Sequence, residues 1–243
     1  MRPPPTEAQP IHRLGLVAQV NHLACHICPR GTWRDAVEEL RQRAALFDGR
    51  RVFGVATGSD LESPDAVCDA VGDLATDVIV LANDPSLREV MTFPSMMSAL
   101  RGLPGRLFYC HSKGATHPPN SVCQEWRRVM FETCLDHPRL IECMLERYPI
   151  CGPFRRFGGL GVPWHFSGSF YWLRCADLWA QDWGNVQQFW YGVETYPSWQ
   201  YTADQSGCLF LDNCEDLYDE GYWMRIVHPA LDAWRKRMDA CTE

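Results

Sequence analysis

The run Phe108-Tyr109-Cys110-His111-Ser112-Lys113-Gly114 holds the residue types and spacing best suited to chemistry. An imidazole and an ammonium two residues apart, followed at once by glycine, set two donors beside backbone that an anion can approach closely. A departing diphosphate would be stabilised there; a surface lysine next to a capping histidine would read the same way. Glu194 is the second candidate, because Tyr191, Tyr196 and Trp199 surround it in sequence. Aromatic neighbours imply partial burial, which favours a carboxylate acting as a base. A helix-capping glutamate beside packing aromatics is the plain alternative. Cys25-x-x-Cys28, with His22 and His26 close by, has zinc or redox spacing. No second such pair completes a four-ligand set, so reduced, buried thiols and no metal site are expected.

The elements that position these residues follow from hydrophobic periodicity. Leu14 to Val20 reads as a buried strand and Asn21 to Gly31 as a polar loop. Thr32 with Asp35 starts a helix whose apolar positions are Trp33, Val37, Leu40, Ala44 and Phe47, with Gly49 at its end. Strands at Arg51 to Ala56, Asp77 to Ala82 and Arg106 to Cys110 are separated by helices opening at Ser63-Pro64 and running through Met96, Met97 and Leu100. Such alternation predicts βαβ units: an α/β fold with a mostly parallel central sheet and helices on both faces. Further on, helices are expected from Ser121 and from Pro138, a long loop over 151–163, and a strand over 165–173. A short helix near Ala176 to Trp179 and a last helix from Pro229 to Met238 complete the order.

Ligands bind beyond the carboxyl ends of strands in open α/β sheets. The strand ends that carry polar groups are Asn21/His22, Asn83-Asp84 and His111-Ser112-Lys113-Gly114. Asn83-Asp84-Pro85 is equally a turn, and Asp212-Asn213-x-Glu215-Asp216 reads as a solvated loop.

The 243 residues carry a formal net charge of −7, without a basic run that could support nucleic-acid binding. Apolar stretches are too short to span a bilayer, and the Pro-rich start lacks the core of a signal peptide, so a cytoplasmic location is expected. Twelve scattered Cys in a chain of this length do not form a secreted disulfide framework. Ten Trp and eleven Phe supply one substantial core and leave aromatics to line a sugar or nucleotide cleft.

Taken in order, His26-x-x-Pro29, Trp33, Leu46-Phe47-Asp48-Gly49-Arg50-Arg51, Asn83-Asp84-Pro85 and Phe108-Tyr109-x-His111-x-Lys113-Gly114 resemble a group of bacterial glycosyltransferase-like proteins. The second half continues the likeness with Trp126-Arg127-x-x-Met130, Trp164-His165-x-Ser167-Gly168-x-Phe170-x-Trp172 and Tyr191-Gly192-x-Glu194-x-Tyr196. The resemblance runs from about Leu14 to Tyr218. The Pro-rich stretch over 1–12 reads as a disordered tail, and the resemblance implies a GT-A-like, nucleotide-diphospho-sugar transferase fold in a single domain over 13–243. Within that domain a nucleotide-sugar-binding half spans 13–115 and an α+β acceptor-binding half spans 116–243.

The same resemblance implies roles. Glu194, His111 and Lys113 become catalytic; His26, Asn83, Asp84, Ser112, Gly114 and Arg127 bind the donor; His165, Ser167, Gly168, Trp172 and Tyr196 bind the acceptor. A nucleotide-diphosphate sugar is the donor, a carbohydrate or glycan the acceptor. Where such enzymes usually carry a metal-holding Asp-x-Asp, this chain has His111-Ser112-Lys113, and a fixed cation there repels Mg²⁺ or Mn²⁺. Lys113 and His111 would then do the metal's electrostatic work. A carbohydrate- or nucleotide-binding protein of the same fold without turnover is the alternative. A glycoside hydrolase would need a second facing carboxylate, and a zinc hydrolase built on Cys25 and Cys28 would need further ligands.

Overall fold

Among the described residues, eight strands form one sheet in the order β3 (Asp77–Ala82), β2 (Arg51–Thr57), β1 (Asn21–Ile27), β4 (Arg106–His111), β7 (Tyr171–Arg174), β5 (Ile150–Phe157) and β6 (Trp164–Phe166), with β8 (Ser206–Asp212) paired to β5. The protein is described here by a computed structural model that covers residues 19–118 and 121–240. The expected tail and residues 14–18 of the expected first strand lie outside the described residues.

In the first half the chain alternates strand and helix: β1 (Asn21–Ile27), α1 (Trp33–Arg41), β2 (Arg51–Thr57), α2 (Pro64–Val71), β3 (Asp77–Ala82), α3 (Phe93–Leu100) and β4 (Arg106–His111). These four strands are parallel to one another, β1 standing between β2 and β4. β1 occupies residues that the sequence reads as loop. Its polar residues misled that reading because most of their hydrogen-bonding groups find partners inside the fold, Asn21 Oδ1 excepted. Asn21 Nδ2 donates to the Leu46 carbonyl at 3.0 Å. His22 bonds the Pro104 carbonyl and the Arg50 N–H, each at 2.9 Å. Asn21 and His22 therefore lie at the amino end of β1, and the strand-end polar positions pass to His26 and Cys28. β3 also departs from expectation. Its apolar run suggests an inner strand, yet among the described residues it pairs only with β2 and leaves Val80 41% exposed.

The second half begins with α4 (Val122–Leu135) and α5 (Pro138–Arg147), then β5 (Ile150–Phe157), β6 (Trp164–Phe166), β7 (Tyr171–Arg174), α6 (Cys175–Trp179), α7 (Gly192–Gln200), β8 (Ser206–Asp212) and a carboxyl-terminal helix, His228–Ala240. β7 pairs antiparallel with both β4 and β5 and so carries the parallel half into the second. β5 fills the first part of the expected loop. Pro153 does not interrupt it because the β5–β8 ladder shifts register between Gly152 and Phe154, where a missing N–H is tolerated. The single strand expected over 165–173 is split into β6 and β7 by a turn at Gly168 (φ 97°) and Ser169 (φ 58°).

Helices cover both faces. On one, Leu23, Cys25 and Ile27 of β1 and Phe108 and Cys110 of β4 pack with α1, α2, α4 and the carboxyl-terminal helix. On the other, Ala24, Leu107, Tyr109 and Tyr171 pack with α3, α6 and α7. Strand alternation puts His26 and His111, partners in the β1–β4 register, on this second face at the carboxyl ends of their strands.

Candidate functional site

A cleft of about 360 Å³ opens at the carboxyl edge of the parallel strands. It lies where the strand order reverses, β1 leading to β2 on one side while β4 stands on the other, the position at which open α/β sheets hold ligands. Each of the first four strands contributes at its carboxyl end: His26 and Cys28 from β1, Asp60 and Leu61 beyond β2, Asn83 and Pro85 beyond β3, and His111 to His117 from β4. From the second half come Ser169, Trp190, Glu194 and Tyr218. A larger concavity, about 800 Å³, lies between α1, α4 and the carboxyl-terminal helix. Several of its charged side chains pair with one another, as in Arg235–Glu132 at 2.6 Å and His228–Glu125 at 2.8 Å, and it lies away from the strand ends where open α/β sheets hold ligands.

The loop after β4 is fixed by its backbone. Ser112 N–H donates to the His26 carbonyl at 2.9 Å, and Ser112 Oγ accepts from Cys28 N–H at 3.1 Å, so the β1 and β4 ends are tied together. Gly114 has φ +75°, and a Cβ there would stand 2.8 Å from the Cys123 carbonyl oxygen, so only glycine lets the loop pass α4. Arg127, on α4, donates to the Lys113 carbonyl at 3.2 Å and to Glu39 at 3.0 Å. It is buried, outside the cleft lining, and holds the loop from behind.

Lys113 projects its Nζ over the Trp126 ring at 3.8 Å and donates to Tyr218 Oη at 3.4 Å. A cation on aromatic faces is held in place while its charge stays available to a ligand. His111 is differently engaged. Its Nε2 bonds the Gly168 carbonyl at 3.0 Å, and its Nδ1 faces Glu89 Oε1 at 3.7 Å. Burial, then the nearby Lys113 charge, lowers its pKa well below the usual value, so the ring is neutral and its one proton goes to Gly168. The Gly168 N–H in turn donates to Glu194 Oε1 at 2.9 Å. The turn between β6 and β7 is thus clamped between His111 and Glu194.

Within the cleft, Glu89 is a carboxyl that burial perturbs strongly. It follows β3, is 12% exposed, and accepts from Tyr109 Oη at 3.3 Å. Burial, reinforced by the Glu194 charge, pushes it up to about 8. His26, also buried, bonds Thr92 Oγ1 at 2.8 Å, and burial lowers it to about 4.

The cleft therefore brings together Glu194, His111, Lys113, His26, Asn83, Ser112 and Gly114 from the sequence-derived set. Others stand elsewhere. Asp84 caps its own turn, accepting from Ser86 N–H at 2.9 Å. His165 bonds Ser167 Oγ at 3.2 Å behind the β6–β7 turn. Trp172 packs on Phe47 and Phe108 on the opposite sheet face. Tyr196 is buried against Phe93, its hydroxyl donating to the Trp183 carbonyl at 3.1 Å. Gly168 contributes backbone alone. Glu89, Arg88, Trp190 and Tyr218 line the cleft without having been singled out. The one signal for Glu89 was an acid just before Val90 and Phe93, at a strand end.

Among the described residues, no group of three His, Cys, Asp or Glu is arranged to hold a metal, and no helix is long and apolar enough to cross a membrane.

No family model and no curated protein matches the chain. Among solved structures it is similar to glucosyl-3-phosphoglycerate synthase from Mycobacterium tuberculosis in complex with Mn²⁺, uridine diphosphate and glucosyl-3-phosphoglycerate. The identity is 14% and the TM-score 0.47, over 89% of this chain and 80% of that one. It is also similar to a 4-diphosphocytidyl-2C-methyl-D-erythritol synthase, at 11% identity and a TM-score of 0.39, over 88% of this chain and 99% of that one. At this similarity the residues of the cleft, rather than the activities of its neighbours, must carry the functional reading.

Proposed function

We propose that the chain is a glycosyltransferase that moves a sugar from a nucleotide-diphosphate donor to a hydroxyl of a carbohydrate or glycan acceptor. The observation that carries this reading is the cleft at the β1/β4 reversal, lined by both Lys113 and Glu194. In the reaction an acceptor oxygen attacks the anomeric carbon, its proton passes to Glu194, and the bond to the diphosphate breaks. Lys113 meets the charge that develops on the leaving diphosphate, the kind of preorganised electrostatic aid that lowers such barriers most. His111 supports the step by holding the β6–β7 turn, and with it Gly168, against Glu194. A fixed ammonium in the diphosphate position takes the role a divalent ion would have there.

The test is release of nucleoside diphosphate from a panel of nucleotide sugars by the purified protein, with Lys113→Met and Glu194→Gln alongside. The reading expects slow turnover of at least one donor, lost in both variants. Binding of a nucleotide sugar with no turnover under any condition would favour the non-catalytic binding protein instead.

A further inference from the structure

The side chains of the cleft do not balance in charge. Arg30, Arg88 and Lys113 face Asp60, Glu89 and Glu194. Arg30 is matched by Asp60 at 3.3 Å. Glu89, pushed up to about 8 by burial, holds its proton at neutral pH and offsets nothing. Arg88 and Lys113 then remain against Glu194 alone, two positive charges to one negative, in a chain whose formal net charge is −7. A local positive hole in an acidic protein concentrates anions. Among the described residues, neither Arg88 nor Lys113 forms an ion pair within 4.0 Å.

The two cations stand on different walls. Lys113 follows β4 and lies over Trp126 and Tyr218. Arg88 follows β3 and lies over Trp190, its guanidinium carbon 4.7 Å from the ring centroid. Arg88 also has φ +51°, a backbone state sparsely populated by residues with a side chain and concentrated at functional sites. That state is held by its own N–H, which donates to the Asp84 carbonyl at 2.8 Å, while Asp84 Oδ1 accepts from Ser86 Oγ at 2.6 Å. The stacked guanidinium keeps its N–H fork for a partner, and that fork matches a carboxylate or a phosphate in two parallel bonds.

We propose that Arg88, backed by Trp190, is a second anion site in the cleft, and that the carbohydrate acceptor carries a carboxylate or phosphate that binds there. The anion site stands on its own geometry, and its assignment to the acceptor rests on the reading above.

The experiment is calorimetric titration of the purified protein with inorganic phosphate and with malonate, each with and without saturating uridine diphosphate. Wild-type protein is expected to bind at least one of the two anions whether or not the nucleotide is present, and the tighter one identifies the anionic group. Arg88→Gln should weaken that anion about tenfold or more, the loss expected for hydrogen bonds to a charged group, with nucleotide affinity retained as evidence of folding. Arg88→Lys, which keeps the charge but lacks the fork, should fall between. Lys113→Met should show the opposite pattern, weakening the nucleotide and sparing the anion. The proposal is overturned if neither anion binds, if Arg88→Gln binds both as the wild type does, or if nucleotide and anion exclude one another. Anion binding that depends on Arg88 in a protein that ignores uridine diphosphate would sink the nucleotide-sugar reading and leave this site standing.

Discussion

Glu89→Gln should make the protein more stable, by an amount that depends on pH. The Glu89 side chain is 12% exposed, and among the described residues its carboxylate accepts one hydrogen bond, from Tyr109 Oη at 3.3 Å. Burial, then the Glu194 charge, raises its pKa from an ordinary 4.5 to about 8. The folded state thus keeps a proton that the unfolded chain releases. A carboxyl raised in this sense has its contribution to stability intact below the unfolded value and loses it as pH climbs to the folded one. At about 1.36 kcal/mol per tenfold change in proton activity, the interval from 4.5 to about 8 amounts to at most about 5 kcal/mol. Glutamine has the same shape, still accepts from Tyr109 and does not titrate. Urea unfolding at a series of pH values, read as the difference between variant and wild type, should therefore show a gap that widens by about 3–5 kcal/mol between about pH 4.5 and pH 8. Parallel curves, or a gap that narrows as pH rises, would refute the burial argument for Glu89.

Three further outcomes follow from the same contacts. Arg127→Met removes the buried guanidinium that holds the half-buried Glu39 and the Lys113 carbonyl, so stability should drop by about 1–3 kcal/mol in chemical denaturation, the cost of hydrogen bonds lost at a desolvated charged group. Gly168→Ala places a Cβ 2.6 Å from Met130 Sδ at φ +97°, which should destabilise by about 1–3 kcal/mol in thermal unfolding. It should also reduce donor turnover, because the same turn anchors Glu194. Donor hydrolysis should survive EDTA at full rate; loss with EDTA and recovery with Mn²⁺ would show that Lys113 does not stand in for a metal.

Much of the parallel half was legible in the sequence because its helices carry their own punctuation. Ser63 caps α2 by accepting from Ala66 N–H at 3.2 Å, with Pro64 next to it, and the apolar runs of β2, β3 and β4 stand between such signals. β1 was misplaced for a physical reason: a strand buried on both faces can hold Asn and His when backbone partners satisfy them, which local polarity does not reveal. β5 was hidden by Gly152 and Pro153, and β8, which lies beside β5, was missed as well. In the cleft, the β4 loop was legible because His, Lys and Gly announce themselves by type. The sequence also pointed to Arg127 and Trp172, which the fold buries, since a motif gives spacing but not the direction in which a side chain points. Tyr218 could not be found at all, because it meets Lys113 only through a contact 105 residues apart.

A crystal structure of the protein with uridine diphosphate would show directly whether the cleft is a donor site. The diphosphate is expected at the carboxyl edge of β1 and β4, its oxygens within hydrogen-bond distance of Lys113 Nζ, with Glu194 facing the open side of the distal phosphate. A nucleotide seated in the groove between α1, α4 and the carboxyl-terminal helix, with the Lys113 ammonium still lying on Trp126 and touching no phosphate, would contradict that placement.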